Sequence, residues 1–470
     1  MRWPMRFAVG MLLCVFLPGS GGAQVASTGE DSALTDERAL GIAREVVAAL
    51  NAGNAAAAYD RFDEAMRKAV AREQLEGVWT SLLFSRGACQ GETAWAVGKA
   101  GEFKSVALTL RFEKGAQTVA VTLRDDGRVA GLHLPPAPVE TELETGEEEI
   151  TFSSGGHTIH GTLRLPRGGP GRAPAMVLLS GSGPTDRDGN SRMLPGKTES
   201  HRHLARVLAE AGVASLRYDK FGVGKTSLGS HAKDIGSIDF DDYVALALDA
   251  RECLAGRPGI DPARIGFVGH SEGALIALVA ADRLKGAQPP AALVLAMPGA
   301  KPYMTLIREQ VAGQYAAAVK LGAYTQAQAD EGMAEIDRLI AQVSRDATVP
   351  EKISPQFASL FLEQNLKFLQ TAHRYDPRAL AAGLPPGLAV LVLCGEKDAQ
   401  MSCGDARLLV DSFKKGGNAA IRFAELGNVN HVFKEIEGEP RLPEDYVDPA
   451  KPFSREAGRI LADFLRSVLR

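Results

Sequence analysis

The chain has 470 residues, 45% of them hydrophobic and 23% charged, with a formal net charge of −4. That length suits two or three compact units, and that composition supports a buried core. Without a basic surplus there is no electrostatic footing for a phosphate backbone, so no nucleic-acid partner is expected.

Residues 1–23 read as a secretory signal peptide. Arg2 and Arg6 give a positive start, Phe7 to Leu17 is apolar but too short to span a bilayer, and Gly21-Gly22-Ala23 offers small residues for cleavage. Cys14 follows Leu13 rather than a small residue, which argues against a lipoprotein site. Cleavage removes two arginines and no acids, taking the charge from −4 to −6. No later stretch is long and apolar enough to be transmembrane. The mature chain is therefore expected to be periplasmic or secreted, without stable membrane insertion. An exported chain permits disulfides. Cys89, Cys253, Cys394 and Cys403 remain, and they allow more than one pairing. Cys394 and Cys403 flank a candidate catalytic loop; a bridge between them is one reading, and free buried thiols, the commoner state, are the other.

Residues 24–34 are small and polar. Residues 35–135 form a separate small α+β unit. Ala39, Ile42, Val46, Val47 and Leu50 recur at helical spacing, a second helix is expected over about 54–70, and a third near Arg72–Phe84. The period then switches to two at Val106, Leu108, Leu110 and Phe112, and again at Val119, Val121 and Leu123, with turns at Lys114-Gly115 and Asp126-Gly127. This order resembles the DUF3887 and nuclear-transport-factor-like domains found before some bacterial hydrolases. No acid/base pair or metal cluster stands out in it, and a binding or interface role is expected, with a purely structural spacer as the alternative. Proline-rich and acidic residues over 136–146 mark a linker.

From 147 to 470 the texture is strand, loop, helix, repeated. An opening hairpin is expected at Glu149–Phe152 and Ile159–Leu165. Short apolar runs follow at Ala175–Leu179, Val213–Tyr218, Ile265–Val268, Ala292–Met297, Leu388–Leu393 and Ala420–Leu426. Such runs, with helices between them, predict an α/β unit with a mainly parallel eight-stranded sheet buried on both faces. Between about 300 and 385 the rhythm stops. Leu306–Leu321, Gln326–Val343 and Pro355–Thr371 read as helices, an insertion expected to act as a cap or lid, with plain packing on the outside of the sheet as the alternative.

Gly269-His270-Ser271-Glu272-Gly273 lies between a predicted strand and an alanine-rich helix, the context of a nucleophile elbow. A chain with 50 glycines supplies such a five-residue pattern by chance, so the partners decide. A serine hydroxyl needs a positioned base, itself oriented by a third group. Downstream of Ser271 stand two histidines. His373 falls in the helical insertion, whereas His431 follows the last strand in a turn-forming run. The acid should follow the preceding strand, where Gly395-Glu396-Lys397-Asp398 lies. Asp398 is favoured and Glu396 is the rival. For the oxyanion the candidate donors are the N–H groups of Glu272 and Ser182, the latter in Ser180-Gly181-Ser182-Gly183-Pro184.

These segments, together with Thr185-Asp186-Arg187-Asp188-Gly189, Arg217-Tyr218-Asp219-Lys220-Phe221-Gly222-Val223-Gly224-Lys225 and Asn430-His431-Val432-Phe433, resemble bacterial carboxylesterases of the EstD-like α/β-hydrolase group over about 148–470. The chain has Ser180 where that group usually has histidine, and Phe221 where it often has arginine. The resemblance implies an α/β-hydrolase fold and hydrolysis of short acyl esters, with a small-molecule ester as partner. A serine aminopeptidase or amidase with the same triad is the alternative within enzymes. A silent envelope-binding protein on a hydrolase fold is the alternative outside them. No cofactor and no metal are expected. Gly222 to Thr226 lacks the first glycine of a phosphate loop, Asp219 standing in its place, and His157-x-x-His160 has no third ligand. Asp186, Arg187 and Asp188 either shape the pocket mouth or pair with one another.

Overall fold

The computed structural model describes residues 34–469 apart from 101–102, 114, 135–142, 167, 169–170, 192, 195, 351–352 and 359. The leader read over 1–23, the polar lead-in and most of the expected linker lie outside the described residues. The chain divides into two compact units, one ending at Glu140 and the other running from Thr141 to the C-terminus.

The first unit opens with four helices: α1 (Asp36–Asn51), α2 (Ala55–Asp60), α3 (Glu64–Ala69) and α4 (Arg72–Arg86). Ala39, Ile42, Ala43, Val46, Val47 and Leu50 bury one face of α1. The single helix expected over 54–70 is two, because Asn54 and Asp63 each cap a new start, accepting from the N–H of Ala57 at 3.1 Å and of Met66 at 2.7 Å. An antiparallel sheet follows in the order β1 (Cys89–Ala100), β2 (Phe103–Phe112), β3 (Gly115–Leu123), β4 (Val129–His133). Val106, Leu108, Leu110, Val119, Val121 and Leu123 bury against α1 and α4. Strand β1 was not expected. It is a largely exposed edge strand whose one large aromatic, Trp95, faces solvent, so no apolar alternation announces it.

The second unit contains the predicted eight strands: β5 (Glu147–Ser154), β6 (His157–Arg164), β7 (Ala173–Leu179), β8 (Ala214–Tyr218), β9 (Ile260–His270), β10 (Leu293–Ala296), β11 (Val390–Gly395) and β12 (Ile421–Leu426). Their order is β12-β11-β10-β9-β7-β8-β6-β5. Strands β7 to β12 pair in parallel, and the opening hairpin β5–β6 joins β8 antiparallel. Alternate residues feed two cores. Val177, Leu179, Phe267, Leu293 and Val392 face α6 (Phe240–Ala255) and α7 (Glu272–Leu284). Met176, Leu178, Val268, Val294 and Leu391 face α5 (Ser200–Glu210) and the C-terminal helix (Arg455–Val468). Burial on both faces explains why the strands read as unbroken apolar runs. Sheet order, the single crossover between β7 and β8, and helices on both faces make this unit an α/β-hydrolase fold.

The insertion between β10 and β11 carries α8 (Tyr303–Lys320), α9 (Gln326–Asp346), α10 (Pro355–Ala358), α11 (Leu366–His373) and α12 (Pro377–Gly383). The helix expected over Pro355–Thr371 is broken, with extended backbone at Leu362. Phe357, Leu360, Phe361, Leu366, Phe368 and Leu369 are all buried. One straight helix cannot turn that many apolar residues to one side. The insertion packs into the same core as α6 and α7.

The loops after β7 and β8 are latched by buried ion pairs. Arg187 clamps Asp219, with Nη2 to Oδ2 at 2.6 Å and Nε to Oδ2 at 3.1 Å, and donates to the Gly161 carbonyl at 3.0 Å. Arg217 bridges Asp188 at 2.9 Å and Glu147 at 2.8 Å. The Asp186-Arg187-Asp188 run is thus internal structure rather than a pocket mouth. Removing one partner of such a pair strands the other charge in the interior. Arg187→Met is therefore expected to destabilise this unit by about 3–5 kcal/mol, read as a lower urea midpoint. A midpoint unchanged from wild type contradicts the latch.

Candidate active site

Strand β9 ends at His270, and the chain turns sharply through Ser271 into α7. Ser271 has φ 56° and ψ −119°, a conformation non-glycine residues seldom adopt, and its N–H donates to the Ala296 carbonyl at 2.9 Å. The flanking glycines are required by contact. A Cβ on Gly273 would lie 2.2 Å from the Leu179 carbonyl oxygen, and one on Gly269 2.2 Å from that of Gly273. The turn therefore lifts the Ser271 side chain from the sheet edge while strand and helix pack without room for a methyl group.

The other two residues come from loops at the same edge. His431 Nδ1 lies 2.7 Å from Asp398 Oδ2, and the Asp398 carboxylate is wholly buried. Its second oxygen accepts from the N–H of Gln400 at 2.7 Å and of Met401 at 2.9 Å. A carboxylate only accepts, so Nδ1 carries the histidine proton and Nε2 is left as the basic atom. Glu396, the rival acid, is exposed. His373 accepts from the Met304 N–H at 3.1 Å, inside the insertion. The disulfide Cys394–Cys403 closes the loop that carries Asp398. Among the described residues, Cys89 and Cys253 are free thiols.

Ser271 and His431 line one small cleft of about 50 Å³ with Gly181, Ser182, Thr185, Ser191, Leu194, Thr198, Ser200, Gln400, Val432 and Tyr446. Gly189, His201 and His270 complete the wall, which is rich in hydroxyls and comes from the loop after β7 and the start of α5, the turn after β9, and the segments after β11 and β12. Among the described residues, none of those lining the cleft belongs to the 300–385 insertion. The insertion meets the site from behind, through Tyr303, whose hydroxyl donates to Glu272 Oε2 at 2.8 Å, and Gln310, which donates to the Gln400 carbonyl at 3.3 Å.

Several groups of the site carry no signal that sequence reasoning used. Lys220 Nζ donates to the Gly181 carbonyl at 2.6 Å and to Glu272 Oε1 at 3.0 Å. His270 Nε2 donates to the His431 carbonyl at 2.7 Å and so holds the His431 backbone. Burial, reinforced by His431 and His201, pushes the His270 pKa well down. Burial, reinforced by Arg217 and Lys220, pushes that of His201 down to about 3. Both rings are therefore neutral and serve as framework. Elsewhere, His157 stacks on His231 at 4.7 Å, and His160 lies 3.8 Å from Glu149. Among the described residues the one group with metal-ligand spacing is Cys394, Cys403 and Glu425, and its thiols are joined in the disulfide.

Two outcomes follow for stability. An unfolded histidine takes up a proton below about pH 6.5, whereas folded His201 and His270 stay neutral. Stability is thus highest above that pH and falls as pH drops from about 6.5 toward about 3. The urea midpoint followed over that window should decline, and less steeply in His201→Asn; equal slopes contradict the assignment. Replacing Cys394 and Cys403 by serine should cost about 2–3 kcal/mol, by releasing a short loop. A urea midpoint unchanged in that variant counts against the clamp.

Known proteins resemble both units. Residues 43–132 match the family described as "Protein of unknown function (DUF3887)", and residues 196–426 match "Serine aminopeptidase, S33". The chain is 23% identical over 379 residues to esterase EstD of Thermotoga maritima, covering 80% of this chain and 83% of that protein. An uncharacterized protein of Mycobacterium tuberculosis is 28% identical over 167 residues, covering 35% of this chain and 50% of that one. Among solved structures, the Pyrococcus furiosus esterase Pf2001 is 13% identical with a TM-score of 0.44, covering 72% of this chain and 97% of that one. The first unit thus resembles DUF3887 domains over residues 43–132, and the α/β-hydrolase unit resembles the EstD-like esterases.

Proposed function

We propose that the chain is a serine hydrolase that cleaves carboxylic esters of small acyl groups through an acyl-enzyme on Ser271. The observation that carries this reading is the 2.7 Å contact between Asp398 and His431, in loops that line one cleft with Ser271 on its strained turn. Ser271 Oγ attacks the ester carbonyl as its proton passes to His431 Nε2. The N–H groups of Ser182 and Glu272 hold the oxyanion. Collapse expels the alcohol, which takes the proton from His431. Water then attacks the acyl-enzyme, with His431 again accepting and returning a proton, and the acid leaves. Asp398 keeps His431 in the reactive tautomer and offsets its charge.

The S33 match keeps a serine aminopeptidase in view. Such an enzyme needs a carboxylate facing the substrate's free α-ammonium. Among the described residues none of those lining the cleft is acidic, which favours a neutral ester. The small cleft volume supports a short acyl chain. Export to the periplasm or medium belongs to the same reading. It is supported by the leader pattern and by the Cys394–Cys403 disulfide, which persists in oxidising compartments.

Kinetics with p-nitrophenyl acetate, butyrate and octanoate and with aminoacyl p-nitroanilides test this. The acetate and butyrate should turn over at least about tenfold faster than the octanoate, and the anilides far more slowly. Ser271→Ala should lower kcat/KM by about 10⁴-fold or more with the fold intact, and Asp398→Asn by a comparable factor. Undiminished hydrolysis by Ser271→Ala, or anilides preferred to esters, overturns the proposal.

A further inference from the structure

Behind the cleft lies a buried polar chain that the proposed acyl transfer does not itself use. Lys220 follows β8 and Glu272 opens α7, and their side chains are 4% and 2% exposed. The Lys220 ammonium has three N–H bonds. One donates to the Gly181 carbonyl at 2.6 Å and one to Glu272 Oε1 at 3.0 Å, and the nitrogen lies 5.1 Å from the centre of the Tyr243 ring. Tyr303, at the start of the insertion, donates to the other Glu272 oxygen at 2.8 Å. Burying an ammonium and a carboxylate is costly, and a purely structural site is usually filled as well by apolar side chains. The place of these two charges is therefore informative.

Both touch the proposed oxyanion donors. The Gly181 carbonyl and the Ser182 N–H belong to one planar trans peptide, so they point to opposite sides. Fixing the carbonyl on Lys220 turns the Ser182 N–H away from Lys220. A carbonyl that accepts from a cation also strengthens the donor at the other end of its peptide. Glu272, whose own N–H is the second donor, is held by its side chain between Lys220 and Tyr303. We infer that Lys220 is a positioning residue, which through the Gly181 carbonyl and the Glu272 carboxylate sets the direction of both oxyanion donors. Tyr303 extends this support into the helical insertion, which thereby steadies the site from behind.

This inference rests on the esterase reading, and the experiment separates the two. Lys220→Met leaves Glu272 charged and buried, so the decisive variant is Lys220→Met with Glu272→Gln, which removes both charges and keeps an acceptor for Tyr303. The readouts are kcat and KM for p-nitrophenyl acetate, and the inhibition constant of a trifluoromethyl ketone, whose adduct with Ser271 places an oxyanion between the donors. The double variant should unfold within a few degrees of wild type. Its kcat should fall about 30–100-fold, with KM changed less than about threefold, and the ketone should weaken by a factor matching the fall in kcat. Wild-type turnover in the double variant means that Lys220 only neutralises Glu272, and overturns the inference. So does a KM rise that accounts for the whole loss, or failure of both variants to fold. If Ser271→Ala keeps full activity, the esterase reading itself has failed, whatever the lysine variants do.

Discussion

At Ser271 three backbone segments approach more closely than any side chain permits. The end of β7, the end of β9 and the first turn of α7 are packed so that a methyl group on Gly269 or Gly273 would overlap a carbonyl oxygen. That contact drives the backbone of Ser271 into a left-handed φ and projects its side chain beyond the sheet edge. The rest of the proposed site is arranged around this fixed point. His431 and Asp398 reach it from loops after β12 and β11, and the glycine-rich loop after β7 borders it at Gly181, where an added Cβ would come within 3.2 Å of the Ser271 Cβ. A strained turn of this kind persists only where its surroundings over-determine it. Here the sheet and α7, both buried, supply that constraint.

The site is held by polar interior groups as much as by packing. Arg187 with Asp219 and Arg217 with Asp188 and Glu147 tie the loops after β7 and β8 to the opening hairpin. His270 fixes the backbone of His431, and Lys220 fixes the carbonyl of Gly181. Each exchanges hydration for directed hydrogen bonds and so confers position rather than much net stability. His201 and His270 in this framework are held neutral because burial disfavours their charged form, whereas His431 is hydrogen-bonded to Asp398.

Much of this was legible in the sequence, for identifiable reasons. The strands of the α/β unit are short unbroken apolar runs because both sheet faces are covered. The elbow is readable because contact demands glycine at two fixed positions. Ser271, Asp398 and His431 are candidates by their order along the fold, and the structure brings Asp398 and His431 together and sets His431 in one cleft with Ser271. What was not legible depends on tertiary contact. Strand β1 lacks alternation because it is an exposed edge. The break near Leu362 reflects how many apolar side chains the insertion must bury. Lys220, Tyr303 and His270 are ordinary residues in sequence, and only folding sets them against Gly181, Glu272 and His431. The insertion's packing against α6 and α7 is likewise a tertiary contact, in which its apolar faces complete that core.

The central claim is that Ser271 is a nucleophile activated by its surroundings. Covalent labelling of the folded protein with a fluorophosphonate, followed by peptide mass spectrometry, tests it most directly. One label per chain is expected, on Ser271, lost on denaturation before exposure and strongly slowed by His431→Ala. No label on the folded protein, or a label on a different serine of the cleft such as Ser182 or Ser200, would contradict it.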